Sequence, residues 1–126
     1  MRRRVLMIDD DADIREVAAL SVETIGGWEM LQAGTSAEDL LKAEQELPDV
    51  ILLDLMMPDV DGRTTLIRLK SNEKTAGIPV VLLTAKTQGL DVEGFKKLGL
   101  TDILAKPFDP MKLCEDISRS LGWDDE

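Results

Sequence analysis

Four short apolar runs in this chain each end on a polar residue able to handle phosphate or a divalent cation. Val5-Leu6-Met7-Ile8 stops at Asp9-Asp10, and Val50-Ile51-Leu52-Leu53 stops at Asp54. Val80-Val81-Leu82-Leu83 stops at Thr84, and Ile103-Leu104-Ala105 stops at Lys106. Unbroken β-branched or leucine-rich runs, separated by stretches of helical period, read as strands of a parallel sheet buried on both faces. The carboxyl ends of such strands lie along one edge, and ligands bind outside that edge. Three carboxylates, one hydroxyl and one ammonium are therefore predicted to meet.

The segments between the runs supply the helices. Ile14, Val17, Ala18, Val22 and Ile25 form a helical stripe, with Asp11 as N-cap and Gly26-Gly27 as terminator. Trp28 to Ala33 reads as a second strand, less apolar than the others because of Glu29 and Gln32. Ser36 caps a helix carrying Ala37, Leu40 and Leu41, closed by Leu47-Pro48. After Asp54 comes a turn-rich loop, Met56-Met57-Pro58-Asp59-Val60-Asp61-Gly62, in which Asp61 and Gly62 form a turn. Leu66, Ile67 and Leu69 sit in a third helix, and Gly77-Ile78-Pro79 leads into the next strand. Phe95 and Leu98 belong to a fourth helix ended by Gly99, and Asp109 and Pro110 start the last one as N-cap and first residue. Five alternating β and α units predict a three-layer α/β/α sandwich with right-handed crossovers.

The 126 residues suit one domain, since no linker divides them. A formal net charge of -10 and an isoelectric point near 4.4 argue against nucleic acid as a direct partner. Arg2-Arg3-Arg4 is the one dense basic run and reads as a solvated lead-in to the first strand. Cys114, the single cysteine, shares helical spacing with Ile117 and Leu121, which marks a buried core thiol and fits a reducing compartment. No leader pattern is visible, and no apolar stretch approaches the ~20 residues that span a bilayer. The chain reads as soluble and cytoplasmic, without a membrane partner.

Electrostatics sharpens the site. Two carboxylates ~4 Å apart repel by roughly 4 kcal/mol at an effective dielectric of 20. Three such pairs among Asp9, Asp10 and Asp54 approach the whole stability of a domain, about 5–15 kcal/mol. Something positive must sit among them: Lys106 supplies one charge, and a divalent cation supplies two. All-oxygen ligation suits Mg²⁺ or Mn²⁺, whereas a chain with no histidine and one cysteine has no conventional zinc site. A cation beside a carboxylate, with a hydroxyl and an ammonium, is equipment for phosphoryl transfer onto that carboxylate. Neither GxxxxGK[ST] nor GxGxxG is present, so the donor is not a nucleotide bound by this chain.

Taken in order, VLMIDDD, DVILLDLMMPDVDG, PVVLLTA and DILAKPF resemble the receiver domain of bacterial two-component response regulators, over essentially the whole chain. The resemblance implies a flavodoxin-like (βα)5 fold with strand order 2-1-3-4-5 and one receiver domain over 1–126 without an output domain. It implies that Asp54 accepts a phosphoryl group from the phosphohistidine of a sensor histidine kinase or phosphotransfer protein. Asp10, Asp54 and the backbone carbonyl of Met56 would ligate Mg²⁺, with Asp9 acting through a metal-bound water. Lys106 would contact a phosphoryl oxygen, Thr84 would move its hydroxyl toward the group, and the Ala85 N–H would add a hydrogen bond. Phosphorylation brings roughly -1.5 to -2 charge, and the surface of the fourth helix, fifth strand and fifth helix would carry the change to a downstream effector.

Three positions depart from the family pattern. Ile103 stands where the family often has an aromatic switch residue. Met56 and Lys86 flank the path of attacking water, and an apolar Met56 orders that water poorly, which predicts a long-lived acyl phosphate. Asp102 and Asp116 are both acidic where dimerising members pair opposite charges, which disfavours that dimer. Two other functions compete: a phosphorylation-independent interaction module, and an aspartate-nucleophile phosphohydrolase of the haloacid-dehalogenase type. The latter family has a second aspartate where this chain has Met56. A calcium loop at Asp59–Gly62 fails because its first and twelfth positions would be Met57 and Arg68. An FMN site fails for want of a Ser/Thr/Gly-rich phosphate cradle.

Overall fold

Five strands and five helices alternate along the chain: β1 (Arg4–Ile8), α1 (Ala12–Thr24), β2 (Glu29–Ala33), α2 (Ser36–Glu46), β3 (Val50–Asp54), α3 (Gly62–Ser71), β4 (Val80–Thr84), α4 (Val92–Lys97), β5 (Asp102–Ala105) and α5 (Leu113–Leu121). The computed structural model describes residues 2–34, 36–55, 61–85 and 88–123, without the side chains at 36 and 37. The strands form one sheet in the order β2-β1-β3-β4-β5, and every pairing is parallel.

The lack of alternation in the apolar runs has a direct cause. Val5, Met7, Val50, Leu52, Val81 and Leu83 face one layer, where they meet Ala18 and Val22 of α1 and Leu113, Cys114 and Ile117 of α5. Leu6, Ile8, Ile51, Leu53, Val80 and Leu82 face the other, against Ala43 of α2, Leu66 and Leu69 of α3, and Phe95 of α4. Successive side chains of a strand point to opposite faces, so a strand covered on both sides must be apolar at every position. Only the edge strands relax this: β2 and β5 are partly exposed, which is why Glu29 and Gln32 are tolerated in β2.

Several local expectations hold. Asp11 caps α1, accepting from the N–H groups of Asp13 and Ile14. Gly27 follows α1 in the left-handed region at φ 70°, and Gly26 is small for a different reason. A Cβ there would lie 2.6 Å from Cys114 Sγ and 2.9 Å from the Val22 carbonyl oxygen, so α1 and α5 can close up only on a glycine. Cys114 is buried as expected, and burial pushes its thiol pKa up.

Other expectations need correction. The last helix begins at Leu113, not at Pro110. Asp109 instead caps a turn, its Oδ1 accepting from the Met111 N–H at 2.9 Å, while the Pro110 carbonyl is taken by the Ser21 hydroxyl of α1. The α1 stripe is narrower than expected: Val17 and Ile25 are 43% and 46% exposed, and Ser21 is buried in their stead. Leu41 of α2 likewise faces outward. Nor is the basic run simply solvated. Arg2 donates to the Gly27 and Trp28 carbonyls, and Arg4 pairs with Glu29 and Glu46. Arg3 lies over the Trp123 ring at 3.9 Å, and that ring meets Trp28 edge-on. The run clamps the chain just after α5 to the amino-terminal edge of the sheet, away from the strand ends that carry the acids.

Candidate functional site

Register places the polar strand ends side by side. Ile8 pairs with Leu53, Asp54 with Leu83, and Thr84 with Ala105. Asp9, one residue beyond β1, and Lys106, one beyond β5, therefore stand at the level of Asp54 and Thr84. The ladder continues past the strands: the Asp9 N–H donates to the Ala33 carbonyl at 3.1 Å, and the Lys106 N–H to the Thr84 carbonyl at 2.8 Å.

These residues line one cavity of about 340 Å³, together with Asp10, Asp11, Ile14 and Ala85. Asp9 and Asp54 are buried, at 1% and 7% exposure, as is Thr84, whereas Asp10 is exposed. One carboxylate oxygen from each of Asp9, Asp10 and Asp54 falls within 4.8 Å of the other two. The Lys106 amine bridges the buried pair, 2.8 Å from Asp9 Oδ2 and 3.3 Å from Asp54 Oδ1. Burial alone lowers the Lys106 pKa, but the hydrogen bond and charge of Asp9, joined by Asp54, outweigh it and leave the pKa raised. Among the described residues, one ammonium against three carboxylates leaves an excess of negative charge facing an open cavity.

Asp11, third in the acidic run, spends its carboxylate on the α1 cap and belongs to the helix more than to the cluster. Met56 and Lys86, two other positions singled out from the sequence, lie outside the described residues, as does the rest of the 56–60 loop. Two roles escaped the sequence reading. Asp61 is the N-cap of α3, its Oδ1 accepting from the Thr64 N–H at 2.8 Å. Gly62 opens that helix against the end of β3, where a Cβ would come within 2.8 Å of Leu55 Cα. An aspartate just before an apolar helical stripe is the signal that could have revealed the cap. The other is Arg15, whose Nη1 donates to the Asp9 carbonyl at 2.5 Å.

The donor set fits a hard divalent cation. Three carboxylates converge, all potential ligands are oxygens, and the charge left over after Lys106 has the right sign and size. A second cavity, about 420 Å³ and nearly all apolar, adjoins the first and shares Ile14, Ala85 and Lys106 with it. Asp13, Val17, Pro107 and Phe108 complete its walls. On the face expected to serve as readout, Asp102 accepts from the Ser120 hydroxyl at 2.5 Å and Asp116 pairs with Arg119 at 2.9 Å. Ile103 is half-buried there, packed against the core layer of α2, α3 and α4.

Comparison with known proteins gives the family and the fold. Residues 5–118 match the family model of the response regulator receiver domain. The DNA-binding dual master transcriptional regulator RpaA of Synechocystis is 44% identical over 107 residues, which is 84% of this chain and 44% of that protein. The phosphate regulon transcriptional regulatory protein PhoB of Pseudomonas aeruginosa is 38% identical, over 88% of this chain and 48% of its own length. The chain thus spans about half the length of the curated relatives it matches. Among solved structures, the chemotaxis response regulator CheY4 of Vibrio cholerae superposes with a TM-score of 0.87 at 28% identity, over 95% of this chain and 99% of that one. The N-terminal domain of a response regulator receiver protein from Methanoculleus marisnigri gives 0.77 at 33% identity, over 92% and 94%. The first relative's name describes DNA binding, so the expected absence of a nucleic-acid partner finds no support here. Among the described residues no helix is long and apolar enough to cross a membrane.

Proposed function

This chain belongs to the response regulator receiver domain family, and from that membership we propose that it is a phosphorylation-controlled signalling switch with Asp54 as phosphoacceptor. One observation carries the reading: a buried carboxylate at the end of β3 shares a cavity with two further carboxylates, a hydroxyl and a bridging ammonium.

The chemistry follows from what each group can do. An Asp54 carboxylate oxygen attacks the phosphorus of a phosphohistidine. A P–O bond forms, the P–N bond breaks, and the imidazole nitrogen leaves with the electron pair and takes a proton. Asp10 and Asp54, with the backbone carbonyl of Met56, would hold Mg²⁺ (or Mn²⁺), and Asp9 would contribute through water. When bound, the ion neutralises charge on the phosphoryl oxygens. Lys106, already 3.3 Å from Asp54, is placed to follow those oxygens. The Thr84 hydroxyl and the Ala85 N–H, on the same cavity wall, supply hydrogen bonds to the product. Drawing Thr84 toward the new charge alters the β4 end, and the α4–β5–α5 surface beside it passes the change to an effector.

The donor is a protein, a sensor kinase or a phosphotransfer protein of a phosphorelay. The apolar cavity beside Asp54, walled by Ile14, Val17, Pro107 and Phe108, suits the side of a donor helix presenting its phosphohistidine. The chain acts as regulator and not as enzyme on a separate substrate, apart from slow loss of its own phosphoryl group. A phosphohistidine donor and a single buried thiol suit the cytoplasm.

Incubation with acetyl phosphate and Mg²⁺, followed by intact-mass measurement, tests the reading. A transient gain of one phosphoryl group, abolished in Asp54→Asn, is the expected result. No adduct would point to a phosphorylation-independent module, and turnover of a phosphoester to a hydrolase.

A further inference from the structure

Asp9 is held at four atoms. Its N–H donates to the Ala33 carbonyl at 3.1 Å, Oδ1 accepts from the Asp11 N–H at 2.9 Å, and Oδ2 meets the Lys106 amine at 2.8 Å. The fourth contact comes from α1, where Arg15 Nη1 donates to the Asp9 carbonyl at 2.5 Å. Arg15 also reaches the far side of the sheet edge, its Nε donating to Gln32 Oε1 in β2 at 3.2 Å. A guanidinium is planar and fixes two directions at once, which a lysine amine does not do.

The neighbouring glycine fits this arrangement. A Cβ on Gly34 would lie 3.0 Å from Arg15 Nη1 and 3.4 Å from its Cζ. Gly34 is not among the residues with positive φ, so its backbone alone does not call for glycine. What the missing side chain leaves is room for the guanidinium.

The carbonyl that Arg15 grips is half of the Asp9–Asp10 peptide group, and a peptide group is planar. Asp10 is exposed, and among the described residues its side chain has no hydrogen-bond partner. With no described side chain orienting it, the part of its placement that the fold fixes is the point where its Cα–Cβ bond leaves the backbone, next to the peptide plane that Arg15 grips.

We propose that Arg15, acting from behind the Asp9–Asp10 peptide, is a positioning residue that sets the divalent-cation affinity of the site. This rests on the phosphoacceptor reading above, in which Asp10 is a cation ligand. Groups that orient metal ligands without touching the metal change affinity by about 10–100-fold when removed. The guanidinium charge itself opposes a cation, so the informative variant keeps the charge and loses the fork.

Arg15→Lys is that variant, examined by Mg²⁺ titration calorimetry and by the rate of labelling with acetyl phosphate at saturating Mg²⁺. The expected result is a Mg²⁺ affinity weaker by about tenfold, with the saturated rate within about twofold of the unaltered chain. Gly34→Ala crowds the same guanidinium and should shift affinity in the same direction by less, which decides the matter should the lysine variant fold poorly. Equal Mg²⁺ affinity in the variants and the unaltered chain overturns the proposal and leaves the phosphoacceptor reading standing. So does a matching loss of affinity and saturated rate, the mark of general damage. Absence of Mg²⁺ uptake by the unaltered chain overturns both.

Discussion

Asp10 carries the clearest electrostatic consequence of any single side chain here. Asp9 and Asp54 share the Lys106 amine, whereas Asp10 brings a third negative charge within 4.8 Å and faces solvent. At that range the repulsion is of order 1 kcal/mol per pair where water screens it. With the Lys106 ammonium that bridges the other two acids offsetting part of this, Asp10→Asn should stabilise the metal-free protein by about 1 kcal/mol, raising the melting temperature in chelator by about 3–5 °C for a chain of this size. The same change should abolish the rise that Mg²⁺ gives the unaltered protein, because a ligand stabilises only what binds it. A lower melting temperature in chelator would show that the acids do not repel as their placement requires. At this scale the sequence was readable where one residue did one job. The strand-end aspartates, Thr84 and Lys106 could be singled out because each interrupts an apolar run. Arg15 could not, since an arginine at the start of an amphipathic helix looks like any solvated cation until β2 is folded beside it.

The strands behave as two-sided elements and the helices as one-sided ones, with consequences that differ in kind. Leu52 and Leu53 are neighbours in β3, both fully buried, yet they pack in opposite layers. Leu52→Ala and Leu53→Ala should each cost about 2–5 kcal/mol, while Leu20→Ala on α1, at 68% exposure, should stay within about 0.5 kcal/mol. Urea titration separates these outcomes; a cheap change at either β3 position would mean that one face of the sheet is not covered. Unbroken apolar runs made the strands legible, and caps such as Asp11 made the helix starts legible. The start of α5 was not. Asp109-Pro110 has the chemistry of a helix opening, but the Pro110 carbonyl is claimed by Ser21 of α1, and the helix waits until Leu113. A hydrogen bond between residues 89 positions apart leaves no local trace. The narrow α1 stripe has the same origin, because a buried Ser21 displaces Val17 and Ile25 toward solvent only once α5 lies across it.

Across the whole molecule, one edge of the sheet is given to fixing the chain and the other to chemistry. Arg2, Arg3 and Arg4 hold the amino-terminal side together with Trp28, Trp123, Glu29 and Glu46. The opposite edge concentrates the acids, and among the described residues Lys106 is the cation that meets them. The overall charge of -10 had suggested that nucleic acid is no partner, yet relatives twice as long include a DNA-binding regulator, so charge speaks only for these 126 residues. The strand order was legible because it follows from the family resemblance, and the shared cavity because parallel strands align their ends. The decisive test is to treat the protein with acetyl phosphate, reduce it with borohydride, and locate any homoserine by tandem mass spectrometry. Homoserine at position 54, formed with Mg²⁺ and missing when the ion is chelated, is the predicted result. Homoserine at another aspartate, or equal yields with and without the ion, would contradict the account.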